Sequence, residues 1–193
     1  MLSPWNGFQV VKSRLLNYKS IEDNIRALDI GGRLVKVVPL IPGGHARVLF
    51  AERNLYDEIE DGASATDATQ FRIGQLRRDL DRFSAGGNVT VGYGKEKSCF
   101  LKLLDPRDEQ VWEIRSRDPK PSIRVFGRFA CRNVFIATHK AFRRTLADER
   151  IEWAREIRTC KAIWRGIFPT FDPHSGDSID AYLSDVIEVG RLP

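Results

Sequence analysis

The side chains of this sequence first suggest phosphate chemistry. Arg115 and Arg117 are two residues apart, as neighbours on one face of a strand are, and Arg124 and Arg128 keep the same phase in the following segment. Joined through the turn Asp118-Pro119-Lys120-Pro121, two such strands would gather four guanidiniums, whose planar forks match phosphate oxygens. Like charges placed directly opposite one another are unfavourable, so the cluster calls for a bound anion or for carboxylates. Glu113, Asp118 or acids on a helix could serve, and solvated, locally paired arginines are the competing reading; Glu113 is expected to pair charge rather than to act as a base. His139, next to Lys140 and just before Arg143-Arg144, adds a group able to exchange a proton near neutral pH beside cations that could hold the phosphate. A purely structural histidine is the equal alternative.

These residues belong to Val111–Arg144, where nine Lys or Arg face two acids, a surplus of seven in a chain whose net charge is +5. The cations alternate with Trp112, Ile114, Ile123, Val125, Phe129, Val134 and Ile136 at strand period, which predicts a basic face over a packed sheet rather than a disordered tail. A polyanion is the favoured partner class, nucleic acid first. The sequence has no HExxH, CxxC or close His/Asp cluster and no GxxxxGK[ST] loop, so neither a metal site nor a cofactor is expected. The glycine-rich Gly86–Gly94 reads as a flexible loop, with Val89–Tyr93 as an extended lead into the sheet.

With 193 residues, 42% hydrophobic and 30% charged, the chain has the composition of one ordered domain with a satellite at most. Cys99, Cys131 and Cys160 are widely spaced and odd in number, which predicts buried thiols in a reducing interior. No run of 18 apolar residues and no apolar leader is seen, so the expectation is a cytoplasmic protein without a membrane span.

Asp23–Leu28 reads as a helical turn, Arg33–Ile41 as an irregular edge strand broken by Pro39, His45–Phe50 as a strand and Glu52–Glu60 as a polar helix. Asp67–Phe83 is the clearest early helix, with Phe71, Leu76, Leu80 and Phe83 turned inward and Arg72, Arg77, Arg78, Asp79 and Arg82 on the other face. Ser98–Leu104, Val111–Arg117, Ser122–Arg128 and Asn133–His139 follow as strands whose short connections predict an antiparallel meander. A second long helix, capped at Thr145 with Asp148, runs towards Trp164 and stops at Gly166 and Pro169. It would turn Ile151, Ala154, Ile157 and Trp164 inward and keep Arg150, Glu152, Arg155 and Glu156 wet. Ile179–Val189 is expected to be a short helix or an edge segment. The class is α+β, with both long helices available to cover the apolar side of the sheet.

VWEIR at Val111–Arg115, IRVFG at Ile123–Gly127 and VFIATHKAFRR at Val134–Arg144, followed by a helix rich in Glu and Arg, resemble the RelE/HigB-like toxins of bacterial toxin–antitoxin systems, particularly the phage-derived Gp49-like branch. The resemblance covers residues 45–158, leaving 1–44 as an N-terminal accessory segment and 159–193 as a C-terminal extension packed on the main domain. It implies a compact microbial RNase-type α+β fold, a RelE/ParE-like twisted antiparallel sheet against two main helices. It also implies metal-independent, ribosome-dependent cleavage of messenger RNA, and neutralisation by a small antitoxin carrying a helix-turn-helix region. Arg115 and Arg124 fall on the family's basic positions and His139 on its histidine, so these three are the expected catalytic residues. Arg117, Arg128, Lys140, Arg143 and Arg144 would hold RNA. Arg143-Arg144 replace the family's usual lysine pair, and Lys140, Ala141 and Phe142 depart from its Gly-Phe-Val/Ile pattern. ParE-like gyrase inhibition and a catalytically silent, toxin-fold interaction protein are the alternatives. The extensions would cap exposed edges, or contact the ribosome, the antitoxin or a second copy in a homodimer.

Overall fold

A computed structural model of the chain describes residues 20–40, 47–61, 67–93, 98–143 and 149–188. Its centre is the hairpin of β6 (Ile123–Cys131) and β7 (Val134–Phe142), turned at Arg132-Asn133 with Asn133 left-handed at φ 63°. Asparagine tolerates that conformation better than most residues, and its Oδ1 also accepts the backbone N–H of Ser184 at 2.9 Å. β4 (Leu101–Leu103), β5 (Trp112–Ser116), β6 and β7 form the expected antiparallel meander.

The whole sheet is mixed rather than antiparallel. Its eight strands run β1-β2-β7-β6-β5-β4-β3-β8, where β1 is Leu34–Lys36, β2 Val48–Glu52, β3 Val89–Gly92 and β8 Val186–Glu188. β2 lies parallel to β7, and β3 is parallel to both β4 and β8. Residues 89–92 of the glycine-rich stretch are thus strand, fixed by pairing on both sides, not loop. The segments flanking residues 45–158 supply its two edges, β1 and β8.

Helices cover both faces. α1 (Ile21–Ile30) is longer than the expected turn because Ser20 and Asp23 close a capping box. α2 (Arg53–Glu60) and α3 (Asp67–Ser84) pack Leu55, Ile59, Ile73, Leu76, Leu80 and Phe83 against Ile114, Val125, Phe129 and Phe135. α4 (Glu149–Ile167) places Ile157, Cys160 and Trp164 on the opposite face, where Ile25 of α1 joins Trp164. The long helices therefore do not share one apolar side, and α4 lies over the face that bears the arginines. A four-residue helix, α5 (Ile179–Tyr182), precedes β8, so the expected helix and edge segment both occur.

Phe71 is 61% exposed, contrary to the expectation that it turns inward, whereas Arg72 is 3% exposed. A step of five residues from Phe71 to Leu76 falls well off the 3.6-residue repeat, while Ile73, Leu76, Leu80 and Phe83 keep it. Of the long C-terminal helix, Ile157 and Trp164 are buried and Ala154 half-buried; Thr145, Asp148 and the Ile151 side chain lie outside the described residues.

The β6–β7 register slips between Phe126 and Gly127: Phe126 faces His139, and Gly127 faces Ala137. Thr138 is the extra residue of a bulge, and its hydroxyl donates to the Phe126 carbonyl at 3.1 Å. Beyond it the alternation reverses, so His139 and Ala141 join the α4 face while Lys140 turns towards α2. Close approach at this point requires glycine. A Cβ on Gly127 would lie 2.3 Å from the Ile136 carbonyl oxygen and 2.5 Å from the Phe135 ring. Gly127→Ala is expected to destabilise the fold by about 2 kcal/mol or more. Gly74→Ala, at an exposed helical site with open space around it, should stabilise by up to about 1 kcal/mol. Urea unfolding midpoints read both.

Candidate anion-binding site

On β5 the side chains alternate, sending Trp112 and Ile114 into the α3-side core and Glu113 and Arg115 to the α4 face. Arg115 stands directly opposite Arg124 of β6, and Arg124 in turn opposite Ala141 of β7. The meander thus brings the two arginines into one rung, as their strand phase suggests.

Their counter-charge is Glu113, which is completely buried. Arg115 Nε donates to Glu113 Oε1 at 2.7 Å, and Arg124 Nε lies 3.4 Å from Oε2. The second contact is an ion pair without hydrogen-bond geometry, because Arg124 Nε and Glu113 Oε2 are both sealed from solvent and unbonded. Arg124 Nη1 donates to its neighbour Ile123's carbonyl at 3.3 Å. Nη2 alone of its three nitrogens is neither hydrogen-bonded to nor sealed by the described residues.

Burial pushes the Arg124 pKa down to about 10; Glu113 opposes this, and the charges of Arg115, Arg143 and Arg117 add to it. Arg124 therefore stays charged at neutral pH but at a cost, in a cluster where four guanidiniums share one carboxylate among the described residues. An added anion would relieve that cost. Arg117 Nη2 reaches the Cys99 carbonyl at 3.4 Å and Arg115 Nη1 its sulfur at 3.3 Å. Burial raises the Cys99 pKa, with Arg115 partly opposing, so the thiol is neutral.

His139 shares this face, one rung further along. Its ring stacks on Phe126 with centroids 4.8 Å apart and an 11° tilt. Nε2 lies 2.9 Å from Glu156 Oε2 and Nδ1 3.0 Å from Thr138 Oγ1. Burial lowers its pKa and the hydrogen bond and charge of Glu156 oppose that shift, which favours a neutral ring donating Nε2–H to Glu156; with the Thr138 hydroxyl donating to the Phe126 carbonyl, Nδ1 of that ring then lies beside Thr138 Oγ1 without a shared proton. Contrary to the expectation that it stays wet, Glu156 is 6% exposed, because it falls in the buried stripe of Ile157 and Cys160; Arg155 binds its other oxygen at 2.9 Å.

The remaining predicted residues separate. Arg143 lies over Trp153 of α4, 5.6 Å from the ring centroid, and is close enough to influence Arg124. Lys140 forms an ion pair with Glu58 towards α2. Arg128 lies away from this rung, donating to the Glu109 carbonyl and packing 5.7 Å from the centroid of Trp164, so it does not join the Arg115–Arg124 cluster. Arg144 lies outside the described residues.

Sequence reasoning missed Arg72. From α3 on the opposite face it donates Nε to the Pro121 carbonyl at 2.7 Å and Nη2 to the Ser116 carbonyl at 2.6 Å, with Nη1 2.9 Å from Ser116 Oγ. Asp79 also binds that hydroxyl. Arg72 thus fixes both ends of the turn that joins the two arginine-bearing strands. Only its place one residue before Ile73, inside the 3.6-residue stripe, hinted at burial.

Among the described residues no group of three His, Cys, Asp or Glu is placed to hold a metal ion, and no helix is long and apolar enough to cross a membrane. No family model, curated protein or solved structure matches the chain.

Because the His139 pKa is lowered on folding from its ordinary 6.5, the unfolded chain binds this proton more readily. Its contribution to stability is complete above about pH 6.5 and is lost as pH falls towards the folded value. The stability difference between wild type and His139→Gln should therefore shrink from pH 7.5 to pH 5. A difference independent of pH would contradict this placement of the ring. Urea titrations across that range measure it.

Proposed function

We propose that this protein is an RNA-directed toxin of the endoribonuclease type, acting on messenger RNA held in the ribosome and neutralised by a small antitoxin. The observation that carries the reading is Arg124 Nη2. It is a charged donor without a partner among the described residues, on an arginine that is 8% exposed and on which the charges of Arg115, Arg143 and Arg117 act. RNA is the polyanion whose phosphates suit guanidinium forks. Further support comes from the order of the elements, two helices and then a meander whose strands carry Arg115, Arg124 and His139 on one face.

In the proposed reaction Arg124, backed by Arg115, binds the non-bridging oxygens of the scissile phosphate and stabilises the charge that builds on them. The 2′-oxygen bonds to phosphorus and the bond to the 5′-oxygen breaks. The 2′ proton passes through the His139–Glu156 pair to the leaving oxygen, which yields a 2′,3′-cyclic phosphate and a free 5′-hydroxyl. His139 must release one of its present contacts to do so. The ribosome would supply the in-line geometry of the RNA.

A second reading, binding without cleavage, is favoured by a specific observation: His139 Nε2 is held by Glu156, Nδ1 lies against Thr138, and Glu113 is sealed. Cleavage of ribosome-bound messenger RNA separates the two. Arg124→Ala should lower the rate about 100-fold or more and His139→Ala by about 100-fold, with folding checked by circular dichroism. Unchanged cleavage in both variants contradicts the proposed site. Folded wild type that binds RNA through Arg124 but does not cut it establishes the second reading.

A further inference from the structure

Beside the Arg124 rung, at the start of β6, lies an open depression of about 500 Å³ lined by Lys120, Pro121, Ser122 and Arg143. We infer that it is a second nucleotide subsite, which takes the base and phosphate adjoining the phosphate held at Arg124. The inference rests on the reading of Arg124 as a phosphate site.

Register places the two together. Ser122, Arg124 and Phe126 alternate onto one face, and the backbone N–H of Arg143 donates to the Ser122 carbonyl at 2.8 Å, extending the ladder in which Arg124 faces Ala141. The Ser122–Arg143 rung is thus two residues along from Arg124, about 6.6 Å at the rise of a strand. That is close to the separation of successive phosphates along a single nucleic-acid strand. Arg143 bridges the sites, since it lines the depression and its charge acts on Arg124.

The lining also selects the ligand class. Three of its acceptors are committed: the Pro121 carbonyl to Arg72, the Ser122 carbonyl to the Arg143 N–H, and Ser122 Oγ to Lys120 Nζ at 3.0 Å while itself donating to the Arg117 carbonyl. Among the described residues a ligand meets the ammonium of Lys120, which also donates to the Arg117 carbonyl at 3.2 Å, the guanidinium charge of Arg143 and the apolar ring of Pro121. The acid nearest Lys120 among the described residues, Asp118, is 83% exposed and 3.8 Å from Lys120 Nζ, too solvated to neutralise it. Cations beside an apolar ring suit a phosphate joined to a stacked base and do not read the base's hydrogen-bonding edge. The subsite should therefore accept any base.

Calorimetry with 2′-O-methyl ribonucleotides, which cannot be cleaved, tests this. The probes are a 5′-phosphorylated mononucleotide, the corresponding dinucleotide, and that dinucleotide with its second position abasic. Wild type should bind the dinucleotide at least about tenfold more tightly than the mononucleotide. Lys120→Ala and the abasic probe should each remove most of that advantage, with mononucleotide affinity in Lys120→Ala within about twofold of wild type. An advantage that survives both changes places the second nucleotide elsewhere and overturns the subsite alone. Equal binding by wild type and Arg124→Ala, or no binding by wild type, overturns the phosphate site and the subsite with it.

Discussion

The burial of one carboxylate governs this structure. Glu113 is sealed beneath α4's face of the sheet and has Arg115 on one oxygen and Arg124 near the other. An uncompensated charge in such a place would be costly, and so would either arginine without it. The three groups must therefore be held together by the backbone, and the direct β5–β6 pairing of Arg115 with Arg124 does so. The charges of Arg117 and Arg143 also act on Arg124. Apolar packing holds this face of the sheet: Ile157, Trp164 and Ile167 are each almost completely buried on it, at roughly 1.5–3 kcal/mol per side chain.

Two features of the backbone decide which side chains join the cluster. The bulge at Thr138 reverses the alternation of β7, so His139 shares a face with Arg124 and Lys140 does not. On the other side of the sheet, Arg72 holds the ends of the β5–β6 turn through three donors. Lys120 and Pro121 are thereby set beside Arg143. The proposed RNA track thus depends on residues that would never touch RNA.

Much of the fold is legible in the sequence because its signals are local. Strand alternation across Val111–Arg144 locates β5, β6 and β7, and the short connections make them a meander. The period of Ile73, Leu76, Leu80 and Phe83 marks α3, although extending the stripe to Phe71 fails on phase. Two kinds of information are missing. Long-range pairing, such as β2 alongside β7, has no signature in either segment. Nor can period alone show that α4 covers the basic face, which is why it groups Arg128 with the cluster and leaves Glu156 wet. The rung of Arg115 and Arg124 is readable from phase; the bulge that positions His139 is not, since a single extra residue leaves no compositional mark.

The central claim is that Arg124 meets RNA phosphate through a guanidinium nitrogen that has no partner among the described residues. Nitrogen-detected NMR of arginine side chains, with a short uncleavable RNA added to wild-type protein, tests it most directly. The account predicts that the Arg124 guanidinium signals shift and slow their exchange with solvent, while those of Arg72, whose three nitrogens are already bonded within the protein, stay in place. RNA that binds and leaves the Arg124 signals unmoved would contradict it.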